Sequence, residues 1–291
     1  MTILENHRAG DTIISHATVH HPKFASYIYC RMVMLLNFRR TGGQGDKGKT
    51  EEYQLPITNY QLPMTSIILV PQGAEYKAVC RGLSTISSST PKVIPIPVGI
   101  KPLTIYLRQL QANGTFLNYP ETRVLIMGLC GSLSPQYPVG KIVLYENCIY
   151  QEKVQECDRT FTAQLHSAIS NQQSAPSLVK GVTSDRVICA ATEKRHLGDT
   201  LGGDVVDMEG FAALEFFHPL GISVAMLRVV SDDCNHDIPN LSSAISADGS
   251  LKPLPLAITL LRQPFAATNL IRGSLKALKV LEQIPALLFS A

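Results

Sequence analysis

From residue 65 onward the chain alternates between short apolar runs and stretches with helical spacing. No other feature limits its fold so strongly. "TSIILVP" (65–71), "KVIPIPVG" (92–99), "RVLIMGLCG" (123–131), "GKIVLYENCIY" (140–150) and "VKGVTSDRVI" (179–188) read as strands, the last running out into a loop. "AEYKAVCRGL" (74–83), "PLTIYLRQLQAN" (102–113) and "RTFTAQLHSAIS" (159–170) read as helices. Pro102 falls in the first turn of its helix, where the missing N–H costs nothing. A helix pair on either side of Pro264 closes the sequence. Alternation of this kind predicts an α/β layered domain around a largely buried sheet.

Residues 1–63 do not share the pattern. "RRTGGQGDKGKTEE" (39–52) is polar and glycine-rich, without an apolar period, and reads as linker or disorder. Gln54-Leu55-Pro56 recurs as Gln61-Leu62-Pro63, but two copies are too few for a repeat architecture. The expected organisation is therefore an atypical, poorly ordered extension over 1–63 and one functional domain over 64–291, with Met64 as a possible natural start.

Composition narrows the class. With 45% hydrophobic and 17% charged residues the chain can bury a sizeable core. A net charge of +3 gives no basic footprint for nucleic acid. No apolar run reaches the length of a membrane span, and the N-terminus lacks a secretory pattern. Neither nucleic acid nor a membrane is expected as a partner. The seven cysteines are scattered and form no CxxC pair, which suits free thiols in the cytoplasm. Of the histidines only His20 and His21 are adjacent, so no metal site is expected, and no cofactor.

Two strand ends carry acids. In "DVVDMEGFAALEFF" (204–217), Asp207 and Glu209 flank Met208 where a β-branched run meets a helix-like run. In "ISVAMLRVVSDD" (222–233) an apolar strand ends in Ser231, Asp232 and Asp233. In open α/β sheets ligands collect at the carboxyl ends of strands. Gly128 and Gly131, in "IMGLCGSLSPQYPVGKIVL" (126–144), read as a sharp turn after a strand that exposes backbone N–H groups to a ligand.

Gly128-Leu-Cys-Gly131, then "PVGKIVL", "VVDMEG" and "LRVVSDD", in this order and spacing, resemble the purine nucleoside phosphorylase and nucleosidase superfamily. Within it, the chain looks similar to methylthioadenosine/S-adenosylhomocysteine and hopanoid-associated nucleosidases. The resemblance spans roughly 66–285. It implies a single nucleoside phosphorylase-like domain, with a central twisted mixed sheet flanked by helices, that binds a small-molecule nucleoside and assembles as a homo-oligomer. It also implies roles. Glu209 would accept hydrogen bonds from the ribose hydroxyls, with Met208 packed on the sugar; the alternative for Glu209 is an acid complementing a helix start. Asp232 would be the general acid that protonates the departing base, oriented by Ser231; the alternative is a turn closing a strand, the reading preferred for Asp233. Glu75 would activate the attacking water, or be a solvated acid at a helix start. Val187 and Ile188, in the expected loop 184–194, would sandwich a purine or belong to the core. Asp207 receives no role.

Phosphorolytic relatives carry an Arg two residues before the first glycine and a Ser or Thr directly after it. This chain has Ile126 and Leu129, neither able to donate to a phosphate dianion. The resemblance therefore implies hydrolysis of a purine nucleoside of adenine type. Phosphorolysis, or non-catalytic nucleoside binding on the same fold, are the alternatives.

Overall fold

The computed structural model describes residues 67–86, 91–116, 122–171, 175–241, 244, 246 and 253–290. The extension 1–63 and the boundary at Met64 lie outside the described residues.

The elements follow the expected alternation. In chain order they are β1 (Ile67–Pro71), α1 (Ala74–Ser84), β2 (Lys92–Ile96), α2 (Ile100–Ala112), β3 (Arg123–Ser132), β4 (Ile142–Tyr150), β5 (Lys153–Glu156), α3 (Arg159–Ser170) and β6 (Ser177–Thr183). Then come α4 (Ala191–Leu201), β7 (Val205–Asp207), α5 (Gly210–Phe217), a 3-10 turn (His218–Leu220), β8 (Ser223–Asp232), α6 (Pro253–Arg262) and α7 (Pro264–Phe289). Asp158 caps α3 by accepting from the Phe161 N–H at 2.7 Å. Pro264 opens α7 rather than interrupting it.

The eight strands form one mixed sheet. Its path runs β2-β1-β3-β7-β6-β4-β5, and β8 pairs with both β3 and β4. The strands β3, β8, β4, β6 and β7 consequently close into a ring. β3 and β8 run parallel, and their register carries Gly128 opposite Arg228. Both faces of the sheet are covered. One core gathers Leu125, Met127, Leu144, Ala225 and Leu227 under α1, α3 and α7. The other gathers Ile126, Tyr145, Val179, Val224, Met226 and Val230 under α2 and α5. Burial on both sides explains why the strands read as near-continuous apolar runs.

Three expectations are corrected. Gly128 and Gly131 do not form a turn: β3 passes straight through both, and neither has a positive φ. Part of the expected loop 184–194 is helical, because α4 begins at Ala191. Strand β5 was not expected at all; it folds back on β4 through Gln151 and Glu152, both at positive φ.

Helix α7 lies close to its neighbours because of two glycines. A Cβ on Gly82 would stand 2.1 Å from the Glu282 carbonyl oxygen, and one on Gly273 would stand 2.1 Å from that of Ser231. Gly273 thereby lets α7 rest on the end of β8. Gly82→Ala and Gly273→Ala are each expected to lower unfolding free energy by about 1–3 kcal/mol, the usual range for overpacking. Urea denaturation checks this; unchanged midpoints would show that α7 moves away at no cost.

Candidate functional site

Four elements bring their charged side chains to one point beside Gly128. Glu75 stands in the first turn of α1, but its carboxylate turns inward and accepts the Leu129 N–H at 2.7 Å. Gly99, at φ +98° before α2, donates its N–H to Glu209 at 3.2 Å; an L side chain would rarely adopt that backbone angle. Arg228 comes from β8 and is fully buried. Its Nη2 donates to Asp207 at 3.0 Å and to Glu209 at 3.3 Å. Gly128 provides the room: a Cβ there would lie 2.4 Å from Arg228 Nη1 and 2.5 Å from Glu75 Oε2.

Glu209 occupies the N-cap position of α5, yet its side chain makes no capping bond. It accepts from the Gly99 N–H and from Arg228 instead. Met208 beside it is half-buried. Asp207, which received no role above, is the second anchor of Arg228. It also accepts from Thr183 Oγ1 at 2.9 Å and from the Gly210 N–H at 3.2 Å.

Electrostatics follow from burial. Burial pushes the Glu75 carboxyl up to about 8; Arg228 pulls it back in part, and the Glu209 charge raises it. Burial also lifts Glu209, to about 6, against the pull of Arg228. Burial works against the Arg228 cation as well, but Asp207 and Glu209 outweigh it and hold the guanidinium charged. Arg228 Nε and Nη1 have no hydrogen-bond partner among the described residues, which leaves two buried donors for a bound hydroxyl or water.

A second group forms three residues further along β3. A Cβ on Gly131 would stand 2.8 Å from Asp232 Oδ2. Asp232 is ion-paired through that oxygen with Lys194 of α4, a fully buried lysine that also donates to the Asp233 carbonyl at 3.0 Å. Ser231 donates to Asp232 Oδ1 at 2.7 Å. Ser231 thus touches Asp232 as expected, while Lys194 was missed. Asp233 does form a turn, accepting the Asn235 and His236 N–H groups. Ile188 packs with Leu133, Val182 and Val206 in a small apolar cluster, and Val187 is half-buried nearby in the chain.

The glycines therefore act through missing side chains rather than through turn geometry. Of the backbone N–H groups between them, that of Leu129 is taken by Glu75. A cleft of about 520 Å³ lined by Glu146, Asn147, Thr162 and His166 shares no residue with either charged group. Among the described residues no three His, Cys, Asp or Glu side chains converge as a metal site.

Comparison with known proteins points to one superfamily. Residues 116–248 match the family model described as the phosphorylase superfamily, the superfamily that the Met-Glu and Ser-Asp motifs resemble. No curated protein matches the sequence. Among solved structures, 5'-methylthioadenosine/S-adenosylhomocysteine nucleosidase of Helicobacter pylori aligns at TM-score 0.53 and 14% identity, over 75% of this chain and 94% of that one. Futalosine hydrolase of Helicobacter pylori aligns at 0.52 and 13%, over 75% and 95%. A putative 5'-methylthioadenosine/S-adenosylhomocysteine nucleosidase of Borrelia burgdorferi, bound to adenine, aligns at 0.53 and 13%, over 75% and 98%. At such identities the likeness is one of fold.

The raised Glu75 predicts a pH-dependent stability. The folded state keeps this proton up to about pH 8, whereas the unfolded chain releases it near 4.5. Stability should therefore fall as pH rises between those values. Glu75→Gln has no proton to lose. It should gain on the wild type through that window, by on the order of 1 kcal/mol or more at pH 8.5, and match it below pH 4.5. Thermal melts across pH test this; parallel curves would mean a solvated carboxylate.

Proposed function

We propose, for a chain that carries the phosphorylase-superfamily fold, that it hydrolyses the N-glycosidic bond of a purine nucleoside. One observation supports this above the others: two charged groups of different character lie at Gly128 and Gly131 of a single strand. Three residues of strand span about 10 Å, comparable to the length of a ribose with the start of its base. Glu75 at one end is the general base, and Asp232 at the other faces the leaving group.

The bond from C1′ to the base nitrogen breaks, and water adds to C1′. The water's proton goes to Glu75, which must first have lost its own. The departing base takes a proton held in the Asp232–Lys194 pair, and Ser231 fixes the carboxylate's orientation. Glu209 accepts from the ribose hydroxyls, and the unpartnered nitrogens of Arg228 donate to the sugar side. Met208 covers the sugar. Val187 flanks the base, and Ile188 supports it from the apolar cluster.

Charge favours water over phosphate. Three carboxyl groups, Glu75, Asp207 and Glu209, surround one arginine that two of them already neutralise. A phosphate dianion would meet this acidity with Ile126 and Leu129 in place of donors. Phosphorolysis is the second reading, because Arg228 keeps unpartnered nitrogens.

Adenosine and 5′-thio-substituted adenosines should release free base and free sugar in phosphate-free buffer. Strict phosphate dependence would give the reaction to phosphorolysis, and binding without turnover would leave a nucleoside-binding protein. The rate should rise with pH as Glu75 deprotonates and level off above about 8. Asp232→Asn should lower kcat by about 10²–10⁴-fold, and far less for a nitrophenyl riboside, whose leaving group needs no proton. Equal losses on both substrates would place the acid elsewhere.

A further inference from the structure

We propose that α6 and α7 form a docking face for an anionic lipid bilayer. Large apolar side chains are bare along both helices. Leu254 is 71% exposed, Leu261 82% and Phe265 88%, with Ile258 between them. The positions 254, 258 and 261 follow helical spacing and lie on one side of α6. On α7, Ile271 and Leu275 continue the exposure. Scattered surface leucines are ordinary, but a run of this size on adjoining helices marks an interaction surface.

Charge selects the occupant. Residues 253–281 contain Arg262, Arg272, Lys276 and Lys279 and no Asp or Glu. All four are exposed. On α7, Arg272, Lys276 and Lys279 share a side with Phe265 and border Leu275 by their spacing. Apolar side chains beside lysine and arginine on the same exposed side suit the boundary between headgroups and acyl chains of an anionic leaflet. A second copy of this face would instead set four cations against four. Among the described residues no helix is long and apolar enough to cross a membrane, so the contact is with the surface.

The face adjoins the acid end of the proposed site. Gly273 rests on the Ser231 carbonyl, and Asn269 lines a small cavity with Asp232 and Asp233. Docking would thus bring the Asp232 end of the strand towards the bilayer. The docking itself does not depend on the hydrolase reading.

Flotation of the full chain with vesicles tests it. Vesicles of phosphatidylcholine with about 30 mol % phosphatidylglycerol should carry the protein upward at least ~10-fold more than phosphatidylcholine alone. Salt at about 0.5 M should release most of it. The double variant Leu261→Glu with Phe265→Glu alters only exposed side chains, so its melting should match the wild type while flotation is lost. Arg272→Glu with Lys276→Glu should lose the preference for anionic lipid. Failure to float on anionic vesicles would overturn the proposal, as would flotation that both double variants retain. A concentration-dependent dimer abolished by Leu261→Glu with Phe265→Glu, without vesicle binding, would give the face to a second copy instead.

Discussion

A guanidinium sits inside a ring of five strands, and the site is arranged around it. Burying Arg228 alone would cost several kcal/mol, so it must be paired. Asp207 and Glu209 supply the pairing, which fixes where β7 ends and α5 begins. Those carboxylates are themselves held by Thr183 and by the Gly210 and Gly99 N–H groups. Removing Arg228 would leave two buried acids facing each other, so fold and site share the same interaction. The opposite strand answers it with Gly128, because any side chain there would occupy the space of the guanidinium.

The same burial that endangers stability prepares the chemistry. A base for water needs a proton affinity near the working pH. Partial burial lifts Glu75 to about 8, with Arg228 moderating the rise and Glu209 adding to it. Glu209 itself is raised less, to about 6. Two carboxyls close to one arginine therefore differ in proton affinity, and the proposed roles follow that difference: Glu209 as the acceptor of hydroxyls, Glu75 as the acceptor of a proton.

Much of this was legible. The strands and helices that carry the site were visible because apolar runs and turn residues coincide, and α3 matches its expected limits. The acids at the ends of β7 and β8 stood out against apolar surroundings. What escaped was coded in contacts rather than patterns. Strand β5 turns through Gln151 and Glu152, which lack the Asn-Gly signature of a tight hairpin. Helix α4 is polar on most sides and buries only Ala191 and Lys194, with Leu197 and Leu201 half-buried, so its apolar period is weak. Lys194 could be found only once Asp232 was known to lie against it. Arg228 did leave a signal, a lone cation inside "VAMLRVV", on the same side as Met226 and Val230. The role of Gly128 and Gly131 was misread because a missing side chain looks the same in sequence whether it serves a turn or a neighbour.

Gly128 also bears on the choice of nucleophile. A glycine followed by a free backbone N–H can cradle an anion. Here the Leu129 N–H is committed to the Glu75 carboxylate, and Leu129 offers no hydroxyl in its place. An anion arriving at this strand would have to displace Glu75 or share space with it. Water needs neither: it is small and neutral, and in the proposed reaction the carboxylate that occupies the N–H would draw off its proton. The apolar residues at 126 and 129 and the inward turn of Glu75 therefore fit one arrangement under the proposed hydrolysis, in which Glu75 takes up the N–H that a phosphate would otherwise use.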